Sequence, residues 1–253
     1  MVIGVLVYLE IIFCKERKGK VFSVIPNNQY TNRPIHQNDM IILFDLDGTL
    51  IDSTEAILDS FRRSYERLGG GYPGDEAVKA MVGHPLEEMY RSYGVSGERI
   101  GEYVAAYKEA YRRVHTQKTV LLPGAKEAIE LAASFARLGV VTTKTGKYSR
   151  ELLEHFGVME AFEVLIGSED VARHKPHPEP VLAALERMGA APSPSCAMIG
   201  DTCMDMEAAR QAGIRGVAVA CGYGEAGELG GCAEALEADA YSAVTVLRET
   251  LRG

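Results

Sequence analysis

Residues 41–53 read Ile41-Ile42-Leu43-Phe44-Asp45-Leu46-Asp47-Gly48-Thr49-Leu50-Ile51-Asp52-Ser53. Four apolar residues end in two carboxylates spaced i, i+2, and a Gly-Thr turn follows. A short apolar run bounded by a turn signal suits a buried strand of a parallel sheet. Ligands of open α/β sheets gather at the carboxyl ends of strands, so this stretch should set Asp45 and Asp47 at the mouth of a site. A strand continuing through both would point them to the same side, because side chains repeat every two residues. Two aspartates in an isolated turn would read as a solvated loop or a helix cap. The buried-strand prefix and the motifs downstream set this pair apart.

After this strand the pattern becomes helical. Ile57, Leu58, Phe61, Tyr65 and Leu68 fall on one helical face, and Gly69-Gly70-Gly71 ends it. Asp52 or Ser53 is placed to cap its start. Further helical stretches lie at 75–82, 85–93 and 97–116, and 53–122 offers no convincing strand. From Pro123 strands and helices alternate. The expected helices are 124–138 (ended by Gly139), 148–156, 178–188 and 204–212, followed by a terminal helix. The expected strands are 140–143, 163–166, 197–199, 216–220 and a short one at 239–241. This alternation implies an α/β fold, a doubly wound parallel sheet with helices on both faces, with the helical block inserted after its first strand.

The chain has 253 residues, 47% of them hydrophobic and 25% charged, which suits a globular protein able to bury a real core. Its net charge is −8 and its basic residues form no block beyond 15–20, so nucleic-acid binding is not expected. An acidic chain that acts on anions needs a metal or a few placed cations. The five cysteines, at 14, 196, 203, 221 and 232, form no Cys-x-x-Cys. Neither a disulfide framework nor a zinc site is expected, a cytoplasmic location is the default, and Cys203 reads as a small filler thiol. The apolar stretch 2–13 contains Glu10 and is too short for an ordinary membrane-spanning helix. Its charged residues follow rather than precede it, unlike a signal peptide. A short signal-anchor is the remaining membrane reading. Residues 26–38 are polar and turn-rich, so 1–39 reads as an extension and linker or as the product of an upstream start codon.

Three polar signals follow the later strands: Thr142-Thr143-Lys144, Lys175-Pro176, and Gly200-Asp201-Thr202-Cys203-Met204-Asp205. Each alone is ordinary: a strand-end hydroxyl, a surface lysine, a turn. In this order, all at strand ends of one sheet, they form a coherent charge system.

Together with Asp45-Leu46-Asp47-Gly48-Thr49-Leu50, these segments resemble the four motifs of the haloacid dehalogenase superfamily. Within it the chain looks most like the phosphoglycolate phosphatase-like phosphatases. Val141-Thr142-Thr143-Lys144 resembles the second motif, Lys175-Pro176 the third and Gly200-Asp201-x-x-x-Asp205 the fourth. Thr143 stands where relatives often carry asparagine. The resemblance spans about residues 40–250 and implies a Rossmann-like core, residues 40–52 and 123–253, with a helical cap at 53–122. Hinges are expected near 51–54 and 119–123.

The chemistry follows from the residues. Asp45 is the expected nucleophile, whose carboxylate attacks phosphorus to form an aspartyl-phosphate. Asp47 is placed as general acid on the leaving oxygen and then as base on the hydrolytic water. A carbon–halogen bond would need no such acid, so Asp47 favours phosphate esters. Thr142 can donate to a phosphoryl oxygen, with Thr143 beside it, and Lys175 can balance the nucleophile and the transferring group. Two carboxylates about 4 Å apart repel by roughly 4 kcal/mol at an effective dielectric near 20. A hard divalent cation together with Lys175 relieves this, and oxygen-only ligation beside phosphate suits Mg²⁺. Asp45 and Asp201 are assigned as direct ligands. The resemblance implies that Asp47 adds its backbone carbonyl. Asp205 either ligates or orients a metal water or Lys175.

The turn Gly83-His84-Pro85-Leu86 either enters a helix or faces the pocket. In the second case His84 and an arginine (Arg62, Arg63 or Arg91) would read the far end of the substrate. The carboxylate of 2-phosphoglycolate would need such a cation. His174 and His177 flank Lys175-Pro176 and are expected beside the site rather than on a metal. The expected function is a Mg²⁺-dependent phosphatase of small phosphorylated metabolites, phosphoglycolate first, acting as a monomer or homodimer. A phosphosugar mutase or pyrophosphatase is the alternative on the same fold. A non-catalytic phosphate sensor is the third reading, and it leaves Asp47 without a purpose.

Overall fold

A computed structural model describes residues 40–251. The expectations for residues 1–39 lie outside the described residues. The apolar quartet forms β1 (Ile41–Phe44), buried throughout. Ile42 and Phe44 enter one apolar cluster, Ile41 and Leu43 another. That split is the strand period of two, and burial on both faces explains the unbroken apolar run.

The chain continues through β2 (Ile51–Asp52) into four helices, α1 (Thr54–Leu68), α2 (Asp75–Lys79), α3 (Leu86–Ser92) and α4 (Ile100–Val114). Then come β3 (Val120–Leu121), α5 (Ala125–Ala133), β4 (Arg137–Val141), α6 (Gly146–His155) and β5 (Val164–Ile166). The last part holds α7 (Glu179–Arg187), β6 (Cys196–Gly200), α8 (Cys203–Ala212), β7 (Arg215–Val219), α9 (Ala226–Cys232), β8 (Ala235–Glu237) and α10 (Ala240–Glu249).

Six of these strands form a parallel sheet in the order β5-β4-β1-β6-β7-β8. The chain builds outward from β1 to β4 and β5, then returns to lay β6, β7 and β8 on the other side. The winding therefore reverses beside β1, where sheets of this kind open a crevice at their carboxyl ends. Ile129, Leu152 and Val244, from α5, α6 and α10, cover one face. Val181, Leu185 and Ala209, from α7 and α8, cover the other.

Helices α1 to α4 hold an apolar cluster of their own, rich in aromatic rings. Ile57, Leu58, Phe61 and Tyr65 are among its α1 members, as their helical spacing predicts. The Phe61 and Tyr90 rings lie 4.8 Å apart. The Tyr90 hydroxyl is 2.7 Å from Ser64 Oγ, which satisfies it in the interior. At the base of this block β2 pairs antiparallel with β3, Ile51 opposite Leu121 and Asp52 opposite Val120. The β3 strand falls inside 53–122, where no strand was expected; two residues are too few to show an alternation.

Three further expectations are corrected. Gly139 does not stop a helix. The helix α5 ends at Ala133, and Gly139 lies in the middle of β4, paired with Leu43 and Val164. A Cβ there would meet Val164 Cγ1 at 2.6 Å and Leu43 Cδ2 at 2.8 Å, so the residue admits the neighbouring strands' side chains. Asp239 is not in a strand. It caps α10 by accepting from the Ser242 N–H at 2.8 Å, while the strand lies earlier as β8. Cys203 is not a free filler thiol: it is disulfide-bonded to Cys232. The unexpected helix α9 carries Cys232 back to the first turn of α8, with 5.8 Å between the two Cα atoms. Among the described residues, no helix is long and apolar enough to cross a membrane.

Candidate active site

The motif residues meet at the carboxyl end of the sheet. Asp45 follows β1 directly, and its N–H donates to the Ile199 carbonyl at 2.9 Å, which extends the pairing with β6. Its carboxylate lies 2.9 Å from Lys175 Nζ. Lys175 precedes α7 and is buried. It also donates to Asp205 at 2.5 Å and to the Val141 carbonyl at 3.1 Å, so one ammonium joins the ends of β1 and β4 to the first turn of α8. The second Asp205 oxygen accepts from the Thr202 N–H at 3.0 Å and from Thr202 Oγ1 at 2.6 Å. Both oxygens of Asp205 are thus engaged within the protein.

Asp201 follows β6 and is fully buried. It accepts from Thr49 Oγ1 at 3.1 Å and from the Tyr223 N–H at 2.8 Å. Gly48 and Gly222 press on it from either side: a Cβ on each would come within 2.2 Å of Asp201 Oδ2, and Gly48 has φ +81°. One oxygen each from Asp45, Asp201 and Asp205 lies within 4.8 Å of the others.

Burial drives the Asp45 carboxyl up to about 7, with Lys175 pulling it back and Asp205 pushing it further. Burial also raises Asp201 well above the carboxylate range, helped by Asp45 and Asp205. For Lys175 burial opposes the charge, but Asp205 and Asp45 outweigh it and hold the ammonium above the ordinary lysine range.

Asp47 pairs with a different lysine from Asp45, and the strand stops before both, so the strand period does not carry through the pair. The strand ends at Phe44, and the Leu46 carbonyl then accepts the N–H groups of Leu50 and Ile51 at 2.9 and 3.0 Å, turning the chain. The Asp47 carboxylate accepts from Ser53 Oγ and stands 3.2 Å from Lys144 Nζ. Ser53 is thereby drawn from the capping role expected of it; Asp52 accepts the Thr54 N–H at 2.9 Å instead. Lys144 also donates to the Tyr111 hydroxyl at 2.9 Å and lies 4.6 Å from that ring's centre. Burial works against its charge, yet Asp47, Tyr111 and Tyr107 hold Lys144 well above the lysine range. Sequence reasoning quoted Lys144 in its motif and assigned it no part. Its position one step past two strand-end threonines was the available signal.

Thr142 is buried at the end of β4, with its hydroxyl accepting from the Lys144 N–H at 3.1 Å. Thr143 donates to the Gly83 carbonyl at 2.8 Å, tying the sheet edge to the helical block. Between them opens a cavity of about 320 Å³ lined by Asp47, Thr143 and Lys144 on the sheet side and by Phe61, His84 and Tyr107 on the helical side. The turn 83–86 therefore faces the pocket. Asp45, Asp201 and Asp205 are not among the lining residues. The arginines expected to read the substrate lie elsewhere: Arg62 pairs with Asp75, Arg63 with Asp59, and Arg91 does not line the cavity. His174 lines it, with Nε2 3.0 Å from the Ser168 carbonyl, whereas His177 accepts from the Glu179 N–H at 3.1 Å.

Residues 42–219 match the haloacid dehalogenase-like hydrolase family. The chain belongs to that family. It is 31% identical over 210 residues to the "Probable phosphatase IndB" of Dickeya dadantii, covering 81% of this chain and 91% of the relative. It is 34% identical over 180 residues to the "Pyrophosphatase PpaX" of Bacillus velezensis, covering 71% and 82%. A haloacid dehalogenase-like family hydrolase from Streptococcus pneumoniae superposes with a TM-score of 0.74 at 27% identity, covering 82% of this chain and 97% of that one.

In this haloacid dehalogenase-like hydrolase, the donor set of the buried cluster is all carboxylate oxygen. Hard divalent cations take such sets, and three converging acids facing one ammonium are short of positive charge. The cluster fits a divalent metal.

Proposed function

We propose that this hydrolase is a Mg²⁺-dependent phosphatase of small phosphate monoesters. The observation that carries the reading is the division between the two aspartates. Asp45 is anchored by Lys175 in the buried cluster, while Asp47 faces a cavity able to hold a leaving group. The names of the relatives, a phosphatase and a pyrophosphatase, support it.

In this reading the Asp45 carboxylate attacks phosphorus, and the ester P–O bond breaks. The Asp47 proton passes to the departing alkoxide. Asp47 then takes a proton from water, which attacks the same phosphorus and frees Asp45 and inorganic phosphate. Thr142 donates its hydroxyl to a phosphoryl oxygen and Lys175 balances the charge. Asp205, with both oxygens engaged, orients Lys175. Asp45, Asp201 and the Asp47 carbonyl would hold Mg²⁺, which when bound neutralises phosphoryl charge. Helices α1 to α4 act as a cap that keeps bulk water from the reaction, with the β2–β3 pair as its base. Pyrophosphate hydrolysis is the second reading, favoured by the relatives of that name.

Turnover of p-nitrophenyl phosphate with Mg²⁺ is the test. The protein should be active, silent in EDTA and active again on Mg²⁺ addition, and Asp45→Asn should abolish turnover. Retained activity in that variant overturns the nucleophile assignment, and full activity in chelator overturns the metal.

A further inference from the structure

The cavity beside Asp47 is chemically one-sided. Its helical side carries the apolar residues Ile57, Phe61, Val82, Leu86 and Met89, with His84, Glu87 and Lys108 among them. No arginine lines it among the described residues, and its charged lining is two lysines, Lys108 and Lys144, against three acids, Asp47, Glu87 and Glu169. Lys144 is already engaged by Asp47 and the Tyr111 hydroxyl. His84 stands 3.6 Å from Glu88, and His174 faces the Ser168 carbonyl. Among lysines and carboxylates the lining therefore holds one more acid than base. Its volume of about 320 Å³ sits at the small end of ligand pockets, which run from roughly 300 to 1,000 Å³.

We infer that the preferred substrate is the phosphate monoester of a small apolar or aromatic alcohol carrying no second anionic group. This rests on the phosphatase reading above and names the substrate class of that site. The phosphoryl group would enter the buried Asp45–Lys175 end, and the organic group would lie against the apolar residues. A second phosphate, as in pyrophosphate, or a carboxylate, as in 2-phosphoglycolate, would lose its water beside the apolar residues and meet a lining in which three acids outnumber two lysines and no guanidinium stands. An aromatic ring would find edges and faces of Phe61 and Tyr107 to pack on.

Benzyl phosphate, 2-phosphoglycolate and inorganic pyrophosphate separate these cases in Mg²⁺ buffer. Benzyl phosphate is an alkyl ester, so an activated leaving group does not flatter it. The wild-type kcat/KM for benzyl phosphate should exceed both others at least about tenfold, the scale that an apolar pocket provides. Leu86→Arg, at a half-buried position on the cavity wall, should lower that ratio by raising the KM for benzyl phosphate and lowering it for 2-phosphoglycolate. Benzyl alcohol should inhibit competitively. Equal values within about threefold, or a preference for either competitor that carries a second anionic group, overturn the substrate class and leave the phosphatase standing. No turnover of any of the three overturns the phosphatase reading, and the substrate class with it.

Discussion

Lys175 stands 2.9 Å from Asp45 and 2.5 Å from Asp205, with Asp201 in the same buried group. Replacing the ammonium leaves buried carboxylates without their counter-charge, and breaking such a pair costs about 3–5 kcal/mol. Lys175→Met should therefore lower the urea midpoint in Mg²⁺-free buffer and remove turnover. A variant as stable as the parent would mean that the cluster tolerates its charge without Lys175. Asp45 and Asp201 were legible as site carboxylates because each follows a short apolar run, and Lys175 and Asp205 joined them through the order of the motifs. The pairing of Asp47 with Lys144 was not. It depends on a turn closed on the Leu46 carbonyl and on a partner, Lys144, that comes from a different strand end.

At the scale of elements, Gly139 shows where pattern alone misleads. A glycine after an apolar helical stretch is a stop signal, and the same glycine in a central strand is a packing device. Only the neighbours of β4 tell them apart. Gly139→Val would force a side chain between Val164 and Leu43, and overpacking of this kind costs about 1–3 kcal/mol. The expected result is a lower urea midpoint with the metal response retained; an unchanged midpoint would show that β4 and β5 can part freely. The missed elements, β3 and α9, share a cause. One has two residues and the other is rich in glycine, so their own sequences cannot carry a period, and they form on contacts made by the rest of the chain.

Across the whole molecule, the acidic cluster joins segments more than 150 residues apart, since Asp45 precedes most of the chain and Asp201 follows it. An ion that binds only the folded state adds stability by mass action, about 2.7 kcal/mol at a hundredfold excess over Kd. Mg²⁺ should raise the Tm of the wild type in a concentration-dependent way, and Asp201→Asn should remove most of that rise. An Asp201→Asn protein with an undiminished response would move the ion elsewhere. The same scale accounts for the Cys203–Cys232 bond. Cysteine spacing argued against a disulfide framework, and this link arises only because α9 folds back on α8.

The sequence by itself determined the parallel α/β core, the inserted helical block and the carboxylate–lysine machinery. Hydrophobic period and strand-end polarity are local properties, written in consecutive residues. The tertiary structure alone decided that Lys144 joins Asp47, that Arg62, Arg63 and Arg91 do not line the cavity and that Ile57, Phe61 and Met89 do. Those outcomes depend on distances between segments remote in the chain, which no local pattern encodes.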